Sequence, residues 1–127
     1  MKHPYRIGVI GYSHNKFDAF EAINIIYEAL KLRKAKYENC EVVSGLTDLG
    51  ISGIAYQVAE KLNMRTIGIA CKKAEEHNCF PCDEVFIIGN EWGDETYIFL
   101  NYIDELIKVG GGQQSVSEFL AFDGQKE

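Results

Sequence analysis

The chain has 127 residues, of which 46% are hydrophobic and 25% charged, the balance of one soluble globular domain over residues 1–127. Its net charge of −6 argues against a nucleic-acid or anionic-membrane surface, both of which need basic patches. No signal-peptide pattern opens it and no apolar run reaches the ~18 residues of a membrane span, so a cytoplasmic location is expected.

In chain order, strand-like and helix-like patterns alternate. The apolar run 6–11 predicts a first strand ending in a glycine turn. Phe17, Phe20, Ile23, Ile26, Tyr27 and Leu30 then recur at helical spacing. The basic cluster Lys31, Arg33, Lys34 and Lys36 sits where that helix should end and its charge complements the helix dipole. A second strand at 40–43 precedes a second helix, striped by Ile51, Ile54, Ala55, Val58 and Leu62. Residues 65–70 read as the third strand. The stretch 71–83 resists assignment, with Pro81 ending any helix before it. A fourth strand at 84–88 leads to a helix faced by Ile98, Phe99, Tyr102 and Ile103. A fifth strand, 106–109, leads to a final helix with Val116, Phe119 and Leu120 facing inward. Five such units with short turns predict an α/β fold, a doubly wound, Rossmann-like parallel five-stranded sheet with helices on both faces.

Ligands of such sheets bind outside the carboxyl ends of the strands. The tips there are Gly11, Tyr12, Ser13 and His14; residues 44–50, with Gly45, Thr47, Asp48 and Gly50; residues 89–94, with Glu91 and Asp94; and Gly110, Gly111, Gly112, Gln113, Gln114 and Ser115. Three glycines between a strand and a helix expose backbone N–H donors to an anion, although Ser115 and Glu118 also fit a capping box. Gly45 and Gly50 have P-loop spacing, but Ile51 stands where the phosphate-binding lysine belongs, which excludes an ATPase of that class. Gly8 and Gly11 lack the full dinucleotide-binding pattern. Thr47 and Asp48 read first as caps of the second helix and Asp94 as the cap of the fourth, with ligand contacts as the alternative. Glu91 and Asp94 would then hold a ligand's hydroxyl or amino groups, and Trp92 would stack on a base or seal the helix start. His14 offers proton transfer or a phosphate contact, against an ordinary exposed loop position. Cys71, His77, Cys79 and Cys82 have one C-x-x-C spacing, which is compatible with zinc, redox chemistry or inert packed thiols. No metal site and no cofactor is assigned.

Together these motifs resemble the SLOG superfamily, which includes the Lonely Guy phosphoribohydrolases, the molybdenum-cofactor carrier proteins and the Rossmann domain of DNA-processing protein A. The Lonely Guy signature P-G-G-x-G-T-x-x-E falls on residues 110–118: Gly111, Gly112 and Glu118 match, Ser115 stands for the threonine, and Gly110 and Gln114 replace the proline and a glycine. Residues 9–13 are similar to the family's first strand and turn, and residues 43–55 to its second glycine loop and helix. The resemblance implies binding of a nucleotide or nucleotide-derived phosphorylated ligand, for sensing or carriage. Two alternatives come with it: a nucleoside 5′-monophosphate phosphoribohydrolase with Glu118 as the catalytic glutamate, and a molybdenum-cofactor carrier. Counting back from Asp104, the family's catalytic arginine and following lysine fall on Glu95 and Thr96, so the charge is inverted there. The resemblance also implies a homodimer formed through helices that flank the sheet, for which Tyr97, Phe99 and Tyr102 offer an aromatic face.

Overall fold

The computed structural model describes residues 3–11 and 18–110. Within them lie β1 (Tyr5–Gly11), α1 (Ala19–Lys36), β2 (Cys40–Ser44), α2 (Gly50–Lys61), β3 (Arg65–Ala70), a 3-10 turn (Lys72–Glu76), β4 (Glu84–Ile87), α3 (Thr96–Tyr102) and β5 (Glu105–Val109). The five strands form one parallel sheet in the order β4-β3-β2-β1-β5. The expected α/β, Rossmann-like parallel sheet is thus present. Residues 71–83, which carry no clear periodicity, form the 3-10 turn and an irregular return to β4.

The strand order sets which face each helix covers, because parallel crossovers are right-handed. The chain steps one way from β1 to β3, which puts α1 and α2 on one face. There Ile7, Val9 and Val42 pack with Ile26, Leu30, Ile51 and Ala55. It then returns from β4 to β5, which puts α3 on the other face, where Phe99, Leu100 and Ile103 meet Val43, Ile67, Ile69 and Leu106. A Cβ on Gly8 would lie 2.6 Å from Ile103 Cδ1, so the bare glycine lets α3 settle directly on β1.

The α1 stripe differs from its sequence reading. Ala22, Ile26 and Leu30 are buried, whereas Phe20 is 83% exposed and Ile23 also faces outward. The helix is held at both ends by polar contacts. Asp18 caps it by accepting the Glu21 N–H at 3.0 Å, and Arg33 near its end forks onto Glu105 of β5. Tyr5 of β1 donates to the same carboxylate at 2.8 Å. No helix among the described residues is long and apolar enough to cross a membrane.

Candidate functional site

The sheet order reverses between β1 and β5, so their carboxyl ends form the topological switch point. Gly11 lies opposite Val109 in register. A Cβ on Gly11 would stand 2.2 Å from the Val109 carbonyl oxygen and 2.6 Å from Ile51 Cγ1. Only glycine lets the tip of β1, the end of β5 and the first turn of α2 converge so closely. Gly110, immediately beyond β5, has φ +63°, a left-handed conformation that favours glycine.

The N-terminus of α2 completes this corner. Leu49 is its N-cap and contributes no side-chain bond. The first helical hydrogen bond runs from Gly53 N–H to Leu49 C=O at 3.2 Å. The amides of Gly50, Ile51 and Ser52 therefore precede the helical ladder and point out of its positive end. Thr47 and Asp48 do not cap this helix. Both are held by the β3–β4 connection instead: Asp48 N–H donates to Asn78 C=O at 2.8 Å, Thr47 forms a β-bridge with Cys79, and Phe80 N–H donates to Leu46 C=O at 2.8 Å. The Asp48 carboxylate accepts from Gln57 Nε2 at 3.4 Å and lies where a side chain on Gly53 would have to go.

Two serines to which the sequence reading assigned no role organise the corner. Ser44 Oγ, buried, donates to the Val9 carbonyl at 2.6 Å and therefore accepts from Ser52 Oγ, also 2.6 Å away. Ser52 in turn accepts the Gly45 N–H at 3.3 Å. The relay runs Gly45, Ser52, Ser44, Val9, and ties β1, β2 and α2 together with every hydroxyl used. A signal existed: with P-loop glycine spacing, Ser52 occupies the Ser/Thr position even though Ile51 replaces the lysine.

Glu91 and Asp94 lie elsewhere on the same edge. They follow β4, three strand spacings from β1, or about 14 Å at the tips. Glu91 pairs with Lys73 at 2.9 Å. Asp94 accepts the N–H groups of Glu91 at 2.9 Å and Asn90 at 3.0 Å, which hold its carboxyl below the ordinary carboxylate range. It closes the 89–94 loop and does not cap the following helix, whose N-cap is Glu95. Glu95 is buried, and its Oε1 accepts the Gly93 N–H at 3.0 Å. Trp92 is half exposed, with its ring 5.9 Å from that of His77.

The four cysteines are free thiols. Cys71 is buried, Cys79 is exposed, and burial pushes the Cys82 thiol up to about 11. Among the described residues no three His, Cys, Asp or Glu side chains are grouped to hold a metal ion. Tyr12, Ser13, His14, Phe17, Gly111, Gly112, Gln113, Gln114, Ser115, Val116, Glu118, Phe119 and Leu120 lie outside the described residues. Phe99 is core and not part of an outward aromatic face.

No family model and no curated protein matches the sequence. Solved structures do match its fold. The molybdenum cofactor binding protein of the phototrophic bacterium Rippkaea orientalis superposes with a TM-score of 0.82 at 21% identity, over 99% of this chain and 74% of that one. The molybdenum cofactor carrier protein of Chlamydomonas reinhardtii gives 0.76 at 20% identity, over 98% and 74%. The X-ray structure of TM1055 gives 0.78 at 19% identity, over 97% and 71%. At these identities the likeness is one of fold: the chain shares the Rossmann-like architecture of these proteins.

Proposed function

We propose that this chain binds a nucleotide or nucleotide-derived phosphorylated ligand at the β1/β5 switch point and serves to sense or carry it. The observation that carries this reading is the convergence of Gly11, Gly110 and the uncapped N-terminus of α2 on one corner of the sheet. The α2 amides present donors to a phosphate without any cation, which suits a chain of net charge −6. Gly45 borders the corner, and among the described residues only Ser52 Oγ lies near its missing Cβ, at 3.6 Å, so ligand atoms could approach its backbone. Tyr12, Ser13 and the remainder of the glycine run would supply the other walls. The test is calorimetry of the full chain against nucleoside mono- and diphosphates and inorganic phosphate. Saturable binding that Gly45→Asp abolishes by placing a carboxylate in the corner supports the reading. No binding of any nucleotide at millimolar concentration defeats it.

Molybdenum-cofactor carriage is the specific form favoured by the named structural neighbours. It predicts a pterin that copurifies with the chain and fluoresces after oxidation. The phosphoribohydrolase reading gains no support at position 95, where a buried carboxylate stands in place of the cation that would hold an anionic substrate. The expected result with AMP or CMP is no release of free base.

A further inference from the structure

The 89–94 loop carries Trp92, the one tryptophan of the chain, and its backbone is fixed on both sides of that residue. Gly89 C=O accepts the Lys72 N–H at 3.0 Å, Asp94 Oδ2 accepts the N–H groups of Asn90 and Glu91, and Glu95 Oε1 accepts that of Gly93. A Cβ on Gly89 would stand 2.3 Å from Asp94 Cβ, so the loop closes tightly on itself. The indole takes part in none of these bonds and is half exposed, whereas tryptophan is on average highly buried. A fixed loop thus presents an aromatic ring to solvent, and little freedom is lost when another ring stacks on it. Touching residues join this ring to the corner at α2. His77 lies against it at 5.9 Å, the next residue, Asn78, accepts the Asp48 N–H, and Asp48 is two residues before the start of α2. The strand tips at the two places are about 14 Å apart, the reach of an extended nucleoside diphosphate from terminal phosphate to base.

We propose that Trp92 is the stacking platform for the base of a nucleoside diphosphate whose phosphates lie on the α2 amides, an assignment that rests on reading that corner as a phosphate site. Stacking by itself accepts any base, because every base has a π-face. Asp94 supplies the selectivity. Both loop bonds to its carboxylate fall on Oδ2, and among the described residues Oδ1 receives none. Oδ1 is therefore an acceptor for an exocyclic amino group beside the ring. The platform is matched to adenine, guanine or cytosine over uracil, which carries no amino group.

The test follows the emission of Trp92 in the full chain, excited at the red edge of its absorption where nucleotides are transparent, alongside calorimetry. ADP and CDP should quench it saturably, with the affinity that calorimetry gives. Pyrophosphate, which has the phosphates and no base, should bind in the calorimeter without quenching. Trp92→Ala, its folding verified by thermal melts, should weaken ADP about ten-fold or more and leave pyrophosphate binding as it was. Trp92→Phe keeps an aromatic face and should recover most of that loss. UDP, with a carbonyl in place of the amino group of CDP, should bind more weakly than CDP. ADP that binds without quenching, an unchanged ADP affinity in Trp92→Ala, or UDP bound as tightly as CDP overturns the proposal and leaves the phosphate site standing. No binding of ADP, CDP or pyrophosphate removes both.

Discussion

Replacing Gly11 with alanine tests the geometry of the switch point directly. The new Cβ would sit 2.2 Å from the Val109 carbonyl oxygen and 2.6 Å from Ile51 Cγ1. Neither atom is the free end of a flexible side chain: one belongs to β5 backbone and the other to the buried first turn of α2. A shift of about 1 Å in one of these elements is required, and overpacking of this kind costs about 1–3 kcal/mol. Alanine also lowers the entropy of the unfolded chain, which returns about 0.4–1 kcal/mol. The net expectation is a loss of about 1–2 kcal/mol, or roughly 5 °C in Tm for a domain of this size. Gly45→Ala is the matched control. Among the described residues its Cβ would meet only Ser52 Oγ, at 3.6 Å, and neither glycine has a positive φ. That variant should be as stable as the natural chain or slightly more so. Urea denaturation of the two variants side by side checks the argument. Equal midpoints, or a Gly11→Ala variant more stable than Gly45→Ala, would refute the close approach of β1, β5 and α2.

Ser52→Ala leaves the Gly45 N–H without its acceptor and Ser44 without its donor, and should cost about 1–2 kcal/mol in urea denaturation. Glu105→Ala removes the shared partner of Arg33 and Tyr5, and should lower stability by about 1–2 kcal/mol, since the pair is only partly exposed. Burial raises the Cys82 thiol to about 11, so the folded state keeps a proton that the unfolded chain releases. Its contribution is complete below about pH 9 and is lost as the pH rises toward about 11, and Cys82→Ala should flatten stability-versus-pH curves in that window. For Asp94, whose carboxyl is lowered by the Glu91 and Asn90 amides, the NMR shifts of those two amides should titrate below the ordinary carboxylate range. Titration at the ordinary value would show that the 89–94 loop is not closed as described.

The strands were legible because their apolar runs are short and bounded by glycine or charge, and 65–70 coincides with β3 residue for residue. The α2 stripe was legible too, with Ile51, Ala55 and Val58 all buried. The α1 stripe misled at its first turn because Phe20 has the right period but is 83% exposed, while the buried face runs through Ala22, Ile26 and Leu30. Asp48 and Asp94 misled for a related reason. Both stand before a helix with residue types that favour capping, yet each is claimed by another partner: the β3–β4 connection for Asp48, its own loop amides for Asp94.

Local pattern by itself determined the strands, the three described helices and the parallel, two-faced sheet, because burial imposes periodicity on the chain wherever an element meets a core. It also marked the glycine-bearing tips as one edge, which follows once the strands are parallel. Tertiary structure decided which tips meet. The order β4-β3-β2-β1-β5 puts Gly11 against the end of β5 and carries Glu91 and Asp94 three strands away. It also joined Ser44 to Ser52 and left β4 exposed. Strand order arises from which nonlocal pairings bury the most surface, a competition among distant segments that no local spacing records.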